Sequence, residues 1–133
     1  MNKPIRVVIV DDEPDAVTSI ELIIKEFNPD LQVVGTSNII DNAWEVIKES
    51  EPELVFLDID MPRGSGFDLL ERFPIRKFEV IFITAYAKYM EKAKNYHCFD
   101  YLLKPIDIDI FNQTIARFKA HIEKEGISVF KMI

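Results

Sequence analysis

The sequence has little of what secreted and membrane proteins carry. It holds one cysteine, Cys98, in 133 residues, which excludes an internal disulfide and suits a reducing compartment. Long hydrophobic runs are missing too. No segment approaches the roughly 20 apolar residues of a membrane-spanning helix, and the N-terminus lacks the apolar stretch of a secretory leader. A cytoplasmic location with no membrane contact is the expectation. Basic side chains number 16 against 23 acidic ones, a formal charge of −7, and no run of Lys or Arg breaks that balance, which argues against direct nucleic-acid binding by this chain. Glycine is scarce, at four residues, and Gly64-Ser65-Gly66 lacks the lysine of a phosphate-cradling P-loop. Internal repeats and low-complexity tracts are absent.

What is present is an alternation of two patterns. Ile5 to Val10, Leu54 to Leu57 and Val80 to Ile83 are nearly continuous apolar runs rich in β-branched or aromatic residues, as parallel strands covered on both faces require. Leu31 to Thr36 and Phe99 to Leu103 are more mixed and suit strands nearer an edge. Between the strands, helical spacing recurs: Ala16, Ile20, Ile23, Ile24 and Phe27; then Ile39 or Ile40, Ala43, Val46 and Ile47; then the short stretch from Phe67 to Phe73; then Tyr86 to Tyr96; finally Ile108, Phe111, Ile115, Phe118 and Ile122, ending near Gly126. The length suits one domain burying about two thirds of its unfolded surface. Five βα units with right-handed crossovers predict an α/β fold, a single doubly wound five-stranded parallel sheet in the order 2-1-3-4-5 with five helices, flavodoxin-like.

In such a sheet, ligands bind beyond the carboxyl ends of the strands, at the switch point between the first and third. The polar residues that interrupt the apolar pattern fall at those ends. Asp11 and Asp12 follow the first strand, Asp58 ends the third, Thr84 ends the fourth and Lys104 follows the fifth. Two carboxylates about 4 Å apart repel by roughly 4 kcal/mol at an effective dielectric of 20, so three together call for protonation or a bound cation. An oxygen-only set without His or Cys suits Mg²⁺ better than zinc. Cation, Lys104 ammonium and Thr84 hydroxyl together would stabilise a phosphoryl group travelling onto a carboxylate, with Asp58 as the acceptor.

Four segments then carry a resemblance. Val8-Ile9-Val10-Asp11-Asp12-Glu13-Pro14, Leu54-Val55-Phe56-Leu57-Asp58-Ile59-Asp60-Met61-Pro62 with Gly66 following, Ile83-Thr84-Ala85, and Asp100-Tyr101-Leu102-Leu103-Lys104-Pro105 resemble the receiver domain of two-component response regulators, over about residues 5 to 122. The resemblance implies that Asp58 accepts a phosphoryl group from a phosphohistidine on a sensor histidine kinase. It implies Mg²⁺ held directly by Asp12 and Asp58, with the main-chain carbonyl of Asp60 as a third ligand and Asp11 acting through water. Lys104 would pair with the phosphoryl oxygens across a cis Lys104-Pro105 bond, and Thr84 and Tyr101 would form the switch. The face of the fourth helix, fifth strand and fifth helix would carry output and a homodimer contact. Such a domain is a phosphoacceptor rather than a turnover enzyme, at most phosphorylating itself from a phospho-donor and slowly losing the group.

The stretch from Thr84-Ala85-Tyr86-Ala87 to Lys104-Pro105 is most similar to receivers joined to a LytTR-type (LytR/AlgR) DNA-binding domain, which implies transcription regulation through a domain outside these 133 residues. Residues 1–124 are then the receiver, and 125–133 the start of a linker toward that output domain. Asp60 and Tyr86 take the positions that flank the phosphoryl group, and Tyr86 is expected to shield it partly from water.

Plainer roles compete with these. Asp12, ahead of Glu13-Pro14, suits a helix cap, Thr84 another cap, and Lys104-Pro105 a turn. Trp44 reads as helix packing, His97 as a polar residue at a helix end and Cys98 as apolar filler. Asp58 resists such a reading, because a charge ending an apolar central strand is costly without a partner. Asp58-Ile59-Asp60 also imitates the Asp-x-Asp nucleophile of haloacid-dehalogenase-like phosphatases, but Pro62 stands where that motif needs Thr or Val, and Asp58 lies on the third strand rather than the first. A receiver-like scaffold working without phosphorylation is the remaining alternative.

Overall fold

In the computed structural model, which describes residues 3–131, the five apolar runs become one parallel sheet. β1 (Ile5–Val10), β2 (Leu31–Ser37), β3 (Leu54–Leu57), β4 (Glu79–Thr84) and β5 (Asp100–Leu103) lie in the order β2-β1-β3-β4-β5. The expected order and switch point are therefore observed. Val7 pairs with Leu54 and Val10 with Leu57 across that switch, and Leu57 pairs in turn with Phe82, so β1 and β3 end level while β4 runs two residues further, to Thr84.

Alternation along each strand divides the core into two layers. Val8, Val10, Val55, Leu57, Val80 and Phe82 point to one face, where they pack on α2 (Ile40–Ser50), α3 (Gly66–Glu71) and α4 (Met90–Lys94). Val7, Ile9, Leu54, Phe56, Ile81 and Ile83 point to the other, against α1 (Pro14–Phe27) and α5 (Ile108–Glu125). Phe111, Ile115 and Phe118 of α5 are fully buried there, and Phe111 stacks on Phe56 with ring centroids 5.3 Å apart. At about 25 cal/mol per Å² of apolar surface, each such ring contributes on the order of 2–3 kcal/mol of transfer free energy. The helix ends follow local chemistry. Asp107 caps α5 by accepting from the Ile110 amide at 3.0 Å, Gly126 closes it, and Ser65 and Asp68 form a reciprocal capping box at the start of α3.

Two details differ from the sequence reading. The helix expected over 86–96 is split into a 3₁₀ turn, Ala87–Tyr89, and the five-residue α4. Tyr89 leaves helical geometry between them (φ −94°, ψ 1°), and its ring packs against Phe67 and Tyr86, with centroids 6.1 and 6.2 Å away. Two small antiparallel ladders also form, Asp60–Met61 with Gly64–Ser65 and Ile75–Arg76 with Phe130–Lys131. Two residues carry no periodicity to read. The second ladder brings part of the segment 125–133, expected as the start of a linker, back onto the domain; Met132 and Ile133 of that segment lie outside the described residues. Among the described residues no helix is long and apolar enough to cross a membrane.

Candidate functional site

Backbone pairing continues one residue past the strands and thereby aims the acidic side chains. The Asp58 amide donates to the Val10 carbonyl at 2.9 Å, that of Asp11 to Ser37 at 3.0 Å and that of Lys104 to Thr84 at 2.8 Å. Asp11, Asp58 and Lys104 are thus delivered to one sheet end by the last rungs of three different strand pairs. Asp11, Asp12 and Asp58 each offer a carboxylate oxygen, and these oxygens lie within 4.8 Å of one another. Asp11 and Asp58 are buried and Asp12 is half-buried. All three ligand atoms are hard oxygens in one cluster, the donor set that fits a divalent cation such as Mg²⁺.

The Lys104 ammonium is the local counter-charge. It lies 2.9 Å from an Asp11 oxygen and 3.1 Å from Asp58 Oδ2, and it also bonds the Glu13 carboxylate. Burial pushes the pKa of Asp58 up, against the opposing pull of Lys104 and of the Ile59 amide, which donates to Oδ1 at 2.7 Å. Burial likewise raises Asp11, against the Glu13 amide at 2.9 Å and Lys104. For Lys104, burial disfavours the charge, but Glu13, Asp11 and Asp58 outweigh it and hold the group above its ordinary value. One ammonium among three carboxylates leaves the cluster short of positive charge.

Three further features shape the space. The Thr84 hydroxyl is buried at the end of β4 without a hydrogen-bond partner, a costly arrangement unless a ligand satisfies it. Gly66 lies under the loop after β3, where its amide donates to the Ile59 carbonyl at 2.8 Å. A Cβ there would sit 2.5 Å from the Asp58 carbonyl oxygen. Lys104-Pro105 is the cis peptide in the chain's described part, as the sequence reading expected.

The remaining candidates stand around the rim. Asp60 is exposed, its carboxylate 3.4 Å from the Tyr89 hydroxyl. Tyr101 is half-buried beside Phe82, and its hydroxyl donates to the carbonyl of Tyr86, a residue that is 42% exposed. The competing cap role of Asp12 is not seen; Glu13 takes the N-cap position of α1 with no side-chain cap bond. Glu13 is a partner of Lys104 that the sequence pattern does not single out. Its adjacency to Asp11-Asp12 was the available signal, but a glutamate before Pro14 reads first as helix-start chemistry.

A model of the response regulator receiver domain matches residues 7–116. The chain belongs to this family. The chain is 39% identical over 127 residues to the transcriptional regulatory protein BtsR of Escherichia coli (strain K12), covering 94% of the chain and 52% of that protein. It is 34% identical over 117 residues to the sensory transduction protein LytT of Bacillus subtilis (strain 168), covering 86% and 48%. The receiver thus spans about half the length of the curated relatives it matches. Among solved structures, the response regulatory domain of mrkE from Klebsiella pneumoniae superposes with a TM-score of 0.82 at 24% identity, over 90% of this chain and 99% of that one. The REC domain of AraT, a response regulator from Geobacillus stearothermophilus, gives 0.81 at 28% identity, over 90% and 96%. As a receiver domain it is a signalling module and not an enzyme of the ordinary turnover kind.

Proposed function

We infer that this receiver is phosphorylated on Asp58. The observation that carries the reading is the convergence of Lys104 Nζ on Asp58 Oδ2 at 3.1 Å beside the Asp11-Asp12 carboxylates. The donor is a phosphohistidine of a sensor histidine kinase. As the bond from Asp58 Oδ2 to phosphorus forms, the bond from phosphorus to the histidine nitrogen breaks, and the imidazole leaves with its electron pair.

Asp12 and Asp58 would hold Mg²⁺, with the Asp60 carbonyl as a further ligand and Asp11 acting through water. When bound, the ion would supply positive charge against the phosphoryl oxygens and against the crowded carboxylates. Lys104 already touches the accepting carboxylate, so it opposes the burial that disfavours the Asp58 charge and stays in place for the incoming oxygens. The Thr84 hydroxyl, buried and without a partner, is the group a phosphoryl oxygen would satisfy. Tyr101, hydrogen-bonded to the Tyr86 carbonyl, turns inward as Thr84 moves, and Tyr86 partly shields the acyl phosphate.

The altered face is that of α4, β5 and α5, where Met90, Leu103 and Ile110 stand exposed; exposed apolar side chains on all three elements support an isologous homodimer there. Beyond residues 1–124, the segment 125–133 leads toward an output domain of the LytTR DNA-binding type, through which a cytoplasmic regulator controls transcription. The transcriptional regulatory role of BtsR and the half-length match support that extension.

The test is exposure of the chain to a small phospho-donor with and without Mg²⁺, read by intact mass and by released phosphate. One Mg²⁺-dependent phosphoryl adduct, lost in Asp58→Asn, is expected. Sustained Mg²⁺-dependent hydrolysis without an adduct would instead indicate a phosphatase of the haloacid-dehalogenase kind, and no reaction at all would leave a phosphorylation-independent scaffold.

A further inference from the structure

Away from the acidic cleft, Arg76 is the largest fully buried side chain. Its two terminal nitrogens donate to the carbonyls of Tyr96 and His97, at 2.7 and 2.8 Å, and its Nε has no partner. Burial lowers its pKa to about 10, with Glu79 opposing. A buried arginine is expensive unless its fork and stem are both engaged, and here the engagement is shared between two segments. The carbonyls belong to the turn that closes α4, where His97 takes a left-handed φ of 56°. The guanidinium carbon lies 4.1 Å from the centroid of the Phe130 ring, which also stacks on His97 at 5.4 Å with an interplanar angle of 9°. The same arginine pairs through its backbone with Phe130 in the short ladder. A second anchor lies alongside: the Ser128 amide donates to the buried Glu79 carboxylate at 3.3 Å, and His121 Nε2 stands 3.7 Å from that group.

We propose that residues 127–131 are a latch that couples the chain leaving α5 to the closing turn of α4, with Arg76 as the part they share. Phe130 covers the guanidinium from water, which strengthens its grip on the Tyr96 and His97 carbonyls. Removing the ring wets Arg76 and loosens the turn. Displacing the turn pulls Arg76 and His97 away from Phe130 and loosens the ladder. Because the coupling is a free energy, it acts equally in both directions. Its consequence for signalling rests on the phosphorylation reading: α4 belongs to the face proposed to change, and the latch passes that change to the segment proposed to lead to an output domain.

Amide hydrogen exchange on the 133-residue chain tests the coupling. In Phe130→Ala, amides of residues 128–131 and those of Tyr96 and His97, which donate to Ala93 and Lys94, are expected to exchange faster by about tenfold or more. Amides of Val7 to Val10 stay at the wild-type rate, which separates coupling from general loosening. His97→Gly supplies the reverse direction, since glycine accepts the left-handed φ while the stacked ring is lost; residues 128–131 are expected to exchange faster. Acceleration confined to residues 128–131 in Phe130→Ala overturns the latch. For the signalling consequence, the wild type is treated with acetyl phosphate and Mg²⁺ and the adduct verified by intact mass. An adduct that leaves exchange of residues 128–131 unchanged overturns that consequence alone. Absence of any adduct counts against the phosphorylation reading alone, and the Phe130→Ala comparison still decides the latch.

Discussion

At the scale of single residues, the acidic cleft combines groups that oppose one another. Asp11 and Asp58 have raised pKa values, chiefly from burial, so the folded protein holds protons on them more tightly than the unfolded chain does. For a raised carboxylate, the contribution to stability is fully present below the unfolded value of 3.8 and is lost as pH rises through the folded value. Lys104 is raised as well, so its contribution persists through neutral pH and is lost only as pH climbs beyond its unfolded value of 10.5. Neutralising Asp58 therefore relieves strain at neutral pH. Asp58→Asn is expected to be more stable than the metal-free wild type at pH 7, with the gap narrowing as pH falls toward 4. Urea unfolding of both proteins across that range checks it, and a gap that widens toward acid contradicts the charge balance described here. Gly66 makes a different demand. Because a Cβ would meet the Asp58 carbonyl oxygen at 2.5 Å and Leu57 at 3.0 Å, Gly66→Ala must displace the loop, and a loss of about 2 kcal/mol in denaturant unfolding is expected.

At the scale of elements, the strands and long helices follow from patterns legible in the sequence. Val7 to Val10 read as a doubly covered strand, and all four are fully buried with alternate side chains in different layers. The α5 stripe at Phe111, Ile115 and Phe118 is likewise buried. The fourth helix was only partly legible: its apolar spacing at Tyr89, Ala93 and Tyr96 is real, but Tyr89 packs between Phe67 and Tyr86 and leaves the helical path there. Arg76 was not legible at all, since an arginine beside Lys77 in a short connection reads as a surface residue, and only the tertiary approach of Tyr96, His97 and Phe130 buries it. Capping belongs to this scale as well. Asp107→Ala removes the acceptor of the Ile110 amide and is expected to cost about 1 kcal/mol, read as a drop of roughly 3–5 °C in thermal midpoint for a chain of 133 residues.

At the scale of the whole molecule, the sheet order does the essential work of assembly. Placing β1 beside β3, with β4 and β5 following, brings the Asp11-Asp12 pair, Asp58 and Lys104 to one sheet end, although these three points lie far apart in the chain. That convergence was readable because each polar residue directly follows an apolar run. The supporting role of Glu13 and the return of residues 130–131 onto Ile75–Arg76 were not, because neither leaves a pattern longer than two residues. Crowding three carboxylates around one ammonium also makes the fold responsive to cations. Millimolar Mg²⁺ at pH 7 is expected to raise the thermal midpoint of the wild type and to do so less in Asp58→Asn, since a ligand that binds only the folded state stabilises it in proportion to occupancy; equal shifts in both proteins would place the ion elsewhere.

The most direct test is chemical location of the phosphoryl group. After treatment with acetyl phosphate and Mg²⁺, borohydride reduction converts an acyl phosphate on aspartate to homoserine, which peptide mass spectrometry reads residue by residue. Homoserine at position 58, dependent on Mg²⁺ and diminished in Lys104→Ala, is the expected result. Its appearance at Asp11, Asp12 or Asp60 in place of Asp58, or its absence from every aspartate, would contradict phosphorylation of Asp58.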